Sequence, residues 1–192
     1  MVKFKIINNE VRIDKNITKL DQFALDVVGI IKKYTKYVII SGYVSIFFGR
    51  ARATEDIDMF ISEFPYEQFV KMYDEFAEKG FEFTVDSPND LYLEYLLNKT
   101  PINVWRKGFP LLRMEIKLAK KTSQKQILLS PIRIRLNEKE ILFAGIESQI
   151  AYKRYIAKSE KDLEDARHLE IVFEDIDKEK IKYFKHIFEK EL

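Results

Sequence analysis

Apolar and polar residues alternate with period two in several short stretches, separated by stretches whose apolar residues recur three and four apart. Residues 2–7 and 10–14 alternate around Asn8-Asn9, which predicts a hairpin. Thr18 is placed to cap a helix through Ile31, with Asp21 in its first turn and Leu20, Phe23, Val27, Ile30 and Ile31 on one face. Tyr37–Ile40 reads as a short apolar strand, 43–49 as a helix, and Ile57, Met59 and Ile61 as the apolar side of the next strand. Pro65 opens a helix with a Phe69, Met72, Tyr73, Phe76 stripe ended by Gly80.

Phe81–Val85 is a further expected strand, and Ser87-Pro88 starts a helix to about Leu97. Strands are expected near 102–106 and 111–118, joined across Gly108 and Pro110, and near 132–136 and 140–144, joined at Asn137-Glu138. Lys117–Gln126 is polar and basic and reads as a flexible loop, while Trp105 reads as core. From Glu147 the pattern is helical, with breaks near Ser159 and Asp175. The alternation predicts an α+β fold, one mixed sheet flanked by helices over residues 1–145, followed by a helical segment over 146–192.

Composition narrows the chemistry. The 192 residues are 46% hydrophobic, enough for a sizeable core without a metal or disulfide staple. Cysteine is absent, which excludes thiol catalysis and cysteine-ligated zinc. Charged residues reach 33% but nearly cancel to +2, so any basic footprint for nucleic acid must be local; Lys117, Lys120, Lys121, Lys125, Arg133 and Arg135 are the candidates. No apolar run approaches membrane-spanning length and no signal-peptide core opens the chain, so the expected location is cytoplasmic, with no membrane partner. Neither a G-x-x-x-x-G-K-[ST] loop nor a G-x-G-x-x-G turn occurs. His168 and His186 lie in charged helical surroundings and read as surface or packing residues.

The unusual stretch is "SGYVSIFFGRARATEDIDMFI", residues 41–61. Asp56 and Asp58 stand two apart on a strand and so share a face, about 7 Å apart along it. Carboxylates so spaced can converge on one hard cation, or hold two ions about 4 Å apart. Magnesium suits such a pair, because it fills its remaining positions with water and phosphate oxygens. The plainer reading is a solvated pair on a half-exposed strand. Ser41-Gly42 lies where a strand passes into a helix, so that glycine permits close backbone approach to an anion and the serine adds a donor. An ordinary strand-to-helix turn explains it equally well. Arg52 and Thr54 precede the acids, and a guanidinium there can meet a phosphate in bidentate fashion.

Strand, small residue-Gly, helix, then R-A-T-E-D-I-D and apolar residues resembles the signature of the nucleotidyltransferase fold, the DNA polymerase beta-like superfamily. Within it the chain resembles the AbiEii-type and minimal nucleotidyltransferases often found in toxin–antitoxin systems. "AYKRYIAKSEKDLEDARHLEIV", residues 151–172, resembles their later helical segment, with Lys153, Lys161, Asp162 and Asp165 matching. Family members commonly carry Gly-Gly or Gly-Ser at the turn, whereas this chain has Ser41-Gly42-Tyr43.

The resemblance implies a nucleotidyltransferase that moves a nucleoside monophosphate from an NTP to an acceptor hydroxyl, on RNA or protein if it is toxin-type, with an antitoxin partner. It implies two Mg2+ ions on Asp56 and Asp58, with a third carboxylate from a later strand. Glu115 in "LLRMEIKLA" is the candidate, although a cross-strand ion-pair face explains it as well. Ser41, Gly42, Arg52, Thr54 and Lys153 are the implied nucleotide contacts. The competing reading is a non-catalytic nucleotide-sensing or partner-binding module of the same fold, and a third is a metal-dependent phosphoesterase using the same carboxylates.

Overall fold

β-Branched and aromatic residues in the described part of the chain, residues 3–54 and 56–192 of this computed structural model, gather into one mixed sheet. Val2 of the expected hairpin and Glu55 of the R-A-T-E-D-I-D run lie outside the described residues. The strands are β1 (Glu10–Ile13), β2 (Tyr37–Ile40), β3 (Asp56–Ile61), β4 (Phe81–Phe83), β5 (Ile102–Arg106), β6 (Phe109–Leu118), β7 (Ile132–Leu136) and β8 (Lys139–Phe143). Their order is β1-β7-β8-β2-β3-β6-β5-β4, with β1–β7, β2–β8 and β3–β6 parallel and the other pairs antiparallel. β3, the strand of Asp56 and Asp58, is central, between β2 and β6.

The helices are α1 (Lys19–Ile31), α2 (Gly42–Phe47), α3 (Tyr66–Glu78), α4 (Pro88–Asp90), α5 (Thr122–Leu129), α6 (Ile146–Tyr152), α7 (Glu160–Val172) and α8 (Lys178–Glu189). α4 widens into π-helical turns over Leu91–Leu96, and α6 does so over Lys153–Ala157. α1 begins as its sequence predicts, since Thr18 Oγ1 accepts from the Asp21 N–H at 3.1 Å while Thr18 N–H donates to Asp21 Oδ2 at 2.9 Å. Ile57, Met59 and Ile61 of β3, Met114 and Ile116 of β6, and Phe69, Met72 and Phe76 of α3 are fully buried, so the apolar side of the central strands is the core. The α+β architecture, a mixed sheet flanked by helices with helices after it, is the one the alternation predicts.

Three local expectations give way. Asn8 and Asn9 do make a turn, at φ 52° and 58°, but the segment before them pairs with β1 only through an Ile7–Glu10 bridge. Phe4 instead bridges to Phe173 and packs its ring on Phe48, so aromatic burial draws that segment toward the end of α7. β1 takes β7 as its partner. The expected loop at 117–126 is the end of β6 followed by most of α5; the Gln124 side chain accepts the N–H groups of Lys120 and Lys121 at 2.9 and 3.0 Å and so satisfies the chain as it enters the helix. Trp105 is half-buried rather than core, opposite Arg113, with its indole N–H donating to Glu82 at 3.2 Å.

Candidate active site

Parallel pairing of β3 with β6 sets Asp56 opposite Arg113 and Asp58 opposite Glu115, so all three expected acids project from one sheet face. The face is balanced by cations from β6. Arg113 Nε donates to Asp56 Oδ1 at 2.5 Å. Lys117 Nζ donates to Asp58 Oδ1 at 2.9 Å and is ion-paired with Glu115 as well. Burial works against charge on Lys117, but the field of Asp58 and the hydrogen bonds to both carboxylates outweigh it and raise its pKa. Among the described residues, no three acidic or imidazole side chains converge closely enough to form a ready-made metal cage. Asp58 and Glu115 hold an ammonium between them, which is the kind of charge a hard oxygen-donor pair takes up, and the donor chemistry fits magnesium.

At the end of β2 the backbone turns through Ser41 at φ 67°, ψ −144°, a region almost reserved for glycine. The Ser41 N–H, expected to face an anion, donates to Gln149 Oε1 at 3.0 Å. Gly42 has a different close neighbour: a Cβ there would lie 1.8 Å from Arg52 Nη2, so the guanidinium would have to move. Arg52 Nη2 in turn donates to Asp165 Oδ2 at 3.2 Å, and its buried Nε has no hydrogen-bond partner among the described residues. Thr54 Oγ1 donates to the Asp56 carbonyl at 2.8 Å and so braces the start of β3. Tyr43 is buried, its hydroxyl donating to Asp21 Oδ1 at 2.7 Å.

The second motif folds onto the first. Lys153, in the π-helical turn after α6, is 2% exposed, and its Nζ lies 2.8 Å from Asp165 Oδ2 and 3.3 Å from Asp162 Oδ1. Asp165, with no exposed surface, also receives Arg50 and Arg52. Burial opposes the charge on Asp162, but the Ser159 hydroxyl and Lys153 prevail and lower its pKa. Arg50, Gln149 and the bridging role of Lys117 are not evident from the sequence; the period-two pattern of Arg113, Glu115 and Lys117 is the one signal that bears on them.

A cavity of about 330 Å3 joins the two motifs, with Ser41, Asp58, Lys117, Gln149, Lys153 and Asp162 in its wall. Phe60, which returns to the carboxylate face of β3, lines it as well. Among the described residues its wall does not include Asp56, Glu115, Gly42, Arg52 or Thr54. The volume lies at the small end of the range for ligand sites. The basic residues from 117 to 135 do not make one patch: β8, β2 and β3 separate β7 from β6, Arg133 pairs with Glu140, and Arg135 pairs with Glu10. His168 packs, with Nε2 3.1 Å from the Phe48 carbonyl. Among the described residues no helix is long and apolar enough to cross a membrane.

The fold that carries this cavity is similar to that of solved structures of the nucleotidyltransferase fold. The lincosamide antibiotic adenylyltransferase LnuA, in its lincomycin-bound crystal structure, matches with a TM-score of 0.50 at 14% identity, over 82% of this chain and 99% of that one. An antigenic nucleotidyltransferase-like protein from Paracoccidioides brasiliensis matches with a TM-score of 0.53 at 12% identity, over 90% of this chain and 87% of that one. No protein-family profile and no curated protein sequence matches the chain.

Proposed function

We propose that the protein is a magnesium-dependent nucleotidyltransferase of the AbiEii-like, minimal type, moving an NMP from an NTP to an acceptor hydroxyl on RNA or protein. The observation that carries this reading is the cavity shared by Asp58 and Ser41 on one side and Lys153 and Asp162 on the other, within this fold. Asp56, Asp58 and Glu115 would hold the metal. Magnesium, when bound, neutralises the triphosphate and stabilises the charge of an in-line displacement. Lys153 supplies fixed positive charge to phosphates in the cavity, and its two aspartates keep the ammonium oriented. Ser41 offers its backbone N–H to a terminal phosphate when Gln149 releases it. Arg52 acts from behind the turn, its guanidinium packed on Gly42 and paired with Asp165. Glu115 would also accept the acceptor's proton. A cytoplasmic setting with an antitoxin partner belongs to the same reading.

One observation favours a non-catalytic nucleotide-sensing module instead: the Ser41 N–H and the Asp58–Glu115 pair are already satisfied by the chain's own Gln149 and Lys117. Calorimetric titration of NTP with magnesium into the wild type and Asp58→Asn tests the site. The proposal expects wild-type binding that weakens sharply in the variant and collapses without magnesium. Equal affinities would remove Asp58 from the metal site.

A further inference from the structure

Lys117 sits where two demands meet. Its position on β6, two residues beyond Glu115 and beside Phe60 in register, brings its ammonium to Asp58 Oδ1 at 2.9 Å and into an ion pair with Glu115. Asp56 is neutralised separately by Arg113. Lys117 is thus the one described cation shared between Asp58 and Glu115, which face each other across the strand pair. Without it, two carboxylates at neighbouring register positions would repel. The backbone of β6 is fixed by β3 and β5 on either side, so only the four-carbon stem of the side chain can move. Lys117 also lines the cavity beside Ser41 and Lys153, where a phosphate oxygen would accept its hydrogen bonds.

We propose that Lys117 is a resident counter-ion, occupying the place between Asp58 and Glu115 until a polyphosphate in the adjoining cavity draws its ammonium away and a divalent cation replaces it. Two cations within one carboxylate pair repel strongly, so the ion and the ammonium exclude each other. Metal entry is thereby coupled to nucleotide entry: the ion alone meets a site already neutralised, and the nucleotide supplies the alternative partner for the lysine. This inference rests on the reading of Asp58 and Glu115 as metal ligands.

The test is Mn2+ binding without nucleotide, followed by the electron paramagnetic resonance signal of the free ion, for wild type, Lys117→Met and Lys117→Gln. Lys71→Met, which alters an exposed lysine of α3 outside the cavity wall, serves as control. Both Lys117 variants are expected to bind Mn2+ roughly tenfold more tightly than wild type, the scale on which one neighbouring opposite charge alters a carboxylate's affinity for a proton. Lys71→Met should match wild type. Equal or weaker binding by the Lys117 variants, with measurable binding by wild type, overturns the role of Lys117 and leaves the metal site standing. No binding by any of the proteins, with or without a non-hydrolysable NTP analogue, overturns the metal reading and this proposal with it. Failure of both Lys117 variants to fold, judged by circular dichroism, makes the lysine a structural ion pair and also overturns the proposal.

Discussion

Lys153 and Asp165 are both sealed from solvent, and the ammonium of the first lies 2.8 Å from Oδ2 of the second. Asp165 sits on α7, yet it also gathers Arg50 and Arg52 from the segment between α2 and β3. Arg52 is pressed against Gly42 at the start of α2. One buried carboxylate therefore ties the helices after the sheet to the turn that opens the candidate site.

Asp165→Asn is expected to destabilise the fold by about 3–5 kcal/mol, because it leaves buried cations uncompensated. Asp162→Asn should cost far less, since Asp162 is partly exposed and Lys153 retains Asp165. Urea denaturation of the two variants beside wild type measures the difference. Similar losses would deny Asp165 its central position.

Gly42 and Arg52 should be energetically coupled. Gly42→Val places a branched side chain on the guanidinium and is expected to lower stability by roughly 1–3 kcal/mol, as overpacking does. Adding Arg52→Ala should recover part of that loss, giving a non-additive double-mutant cycle. Additive losses would show that the glycine serves something other than the approach of Arg52.

Ser41→Gly should be tolerated and stabilising. A non-glycine residue in this backbone region costs about 1–3 kcal/mol, while glycine adds only about 0.5–1 kcal/mol of unfolded-state entropy. The expected net gain is about 1 kcal/mol in chemical denaturation. A loss of stability would mean that the serine side chain compensates its own strain.

Asp21 links α1 to α2. Burial raises its pKa, but the hydrogen bonds from the Thr18 backbone, Lys15, Tyr43 and the Thr18 hydroxyl together prevail and lower it. A carboxyl whose folded pKa lies below its unfolded one, about 3.9, contributes stability that is fully present above that value and lost as pH falls through the folded pKa. Asp21→Asn should therefore be less stable than wild type at pH 7, with the gap narrowing below about pH 4. Denaturation curves at pH 7 and pH 3 test the sign. A gap that widens in acid would contradict it.

Elements and acids were legible in the sequence to different degrees. The period-two pattern carries Asp56, Asp58, Glu115 and their cationic neighbours on one face, because alternation on a strand fixes sidedness and the parallel register then aligns the two strands. Thr18 and Asp21 carry the start of α1, because a capping box is local chemistry. The hidden part is long-range. Phe4 leaves its local hairpin for an aromatic cluster with Phe48 and Phe173, a choice decided by burial and not by neighbouring residues. Gly42 is recognisable as a glycine at a turn, but the group that crowds it belongs to Arg52, paired with a carboxylate 113 residues further along. Gln149 on the Ser41 amide is likewise set by the packing of α6 and leaves no mark in the sequence pattern.

The most direct test of the central claim is transfer itself. Wild type, Asp58→Asn and Glu115→Gln would be incubated with each α-labelled NTP, magnesium, and RNA and protein acceptor pools, and label retained on a macromolecule measured. The account predicts that wild type transfers labelled NMP from at least one NTP, and that both variants fall by about 100-fold or more while remaining folded. Wild type that binds NTP but labels nothing, or that only releases phosphate, would contradict it.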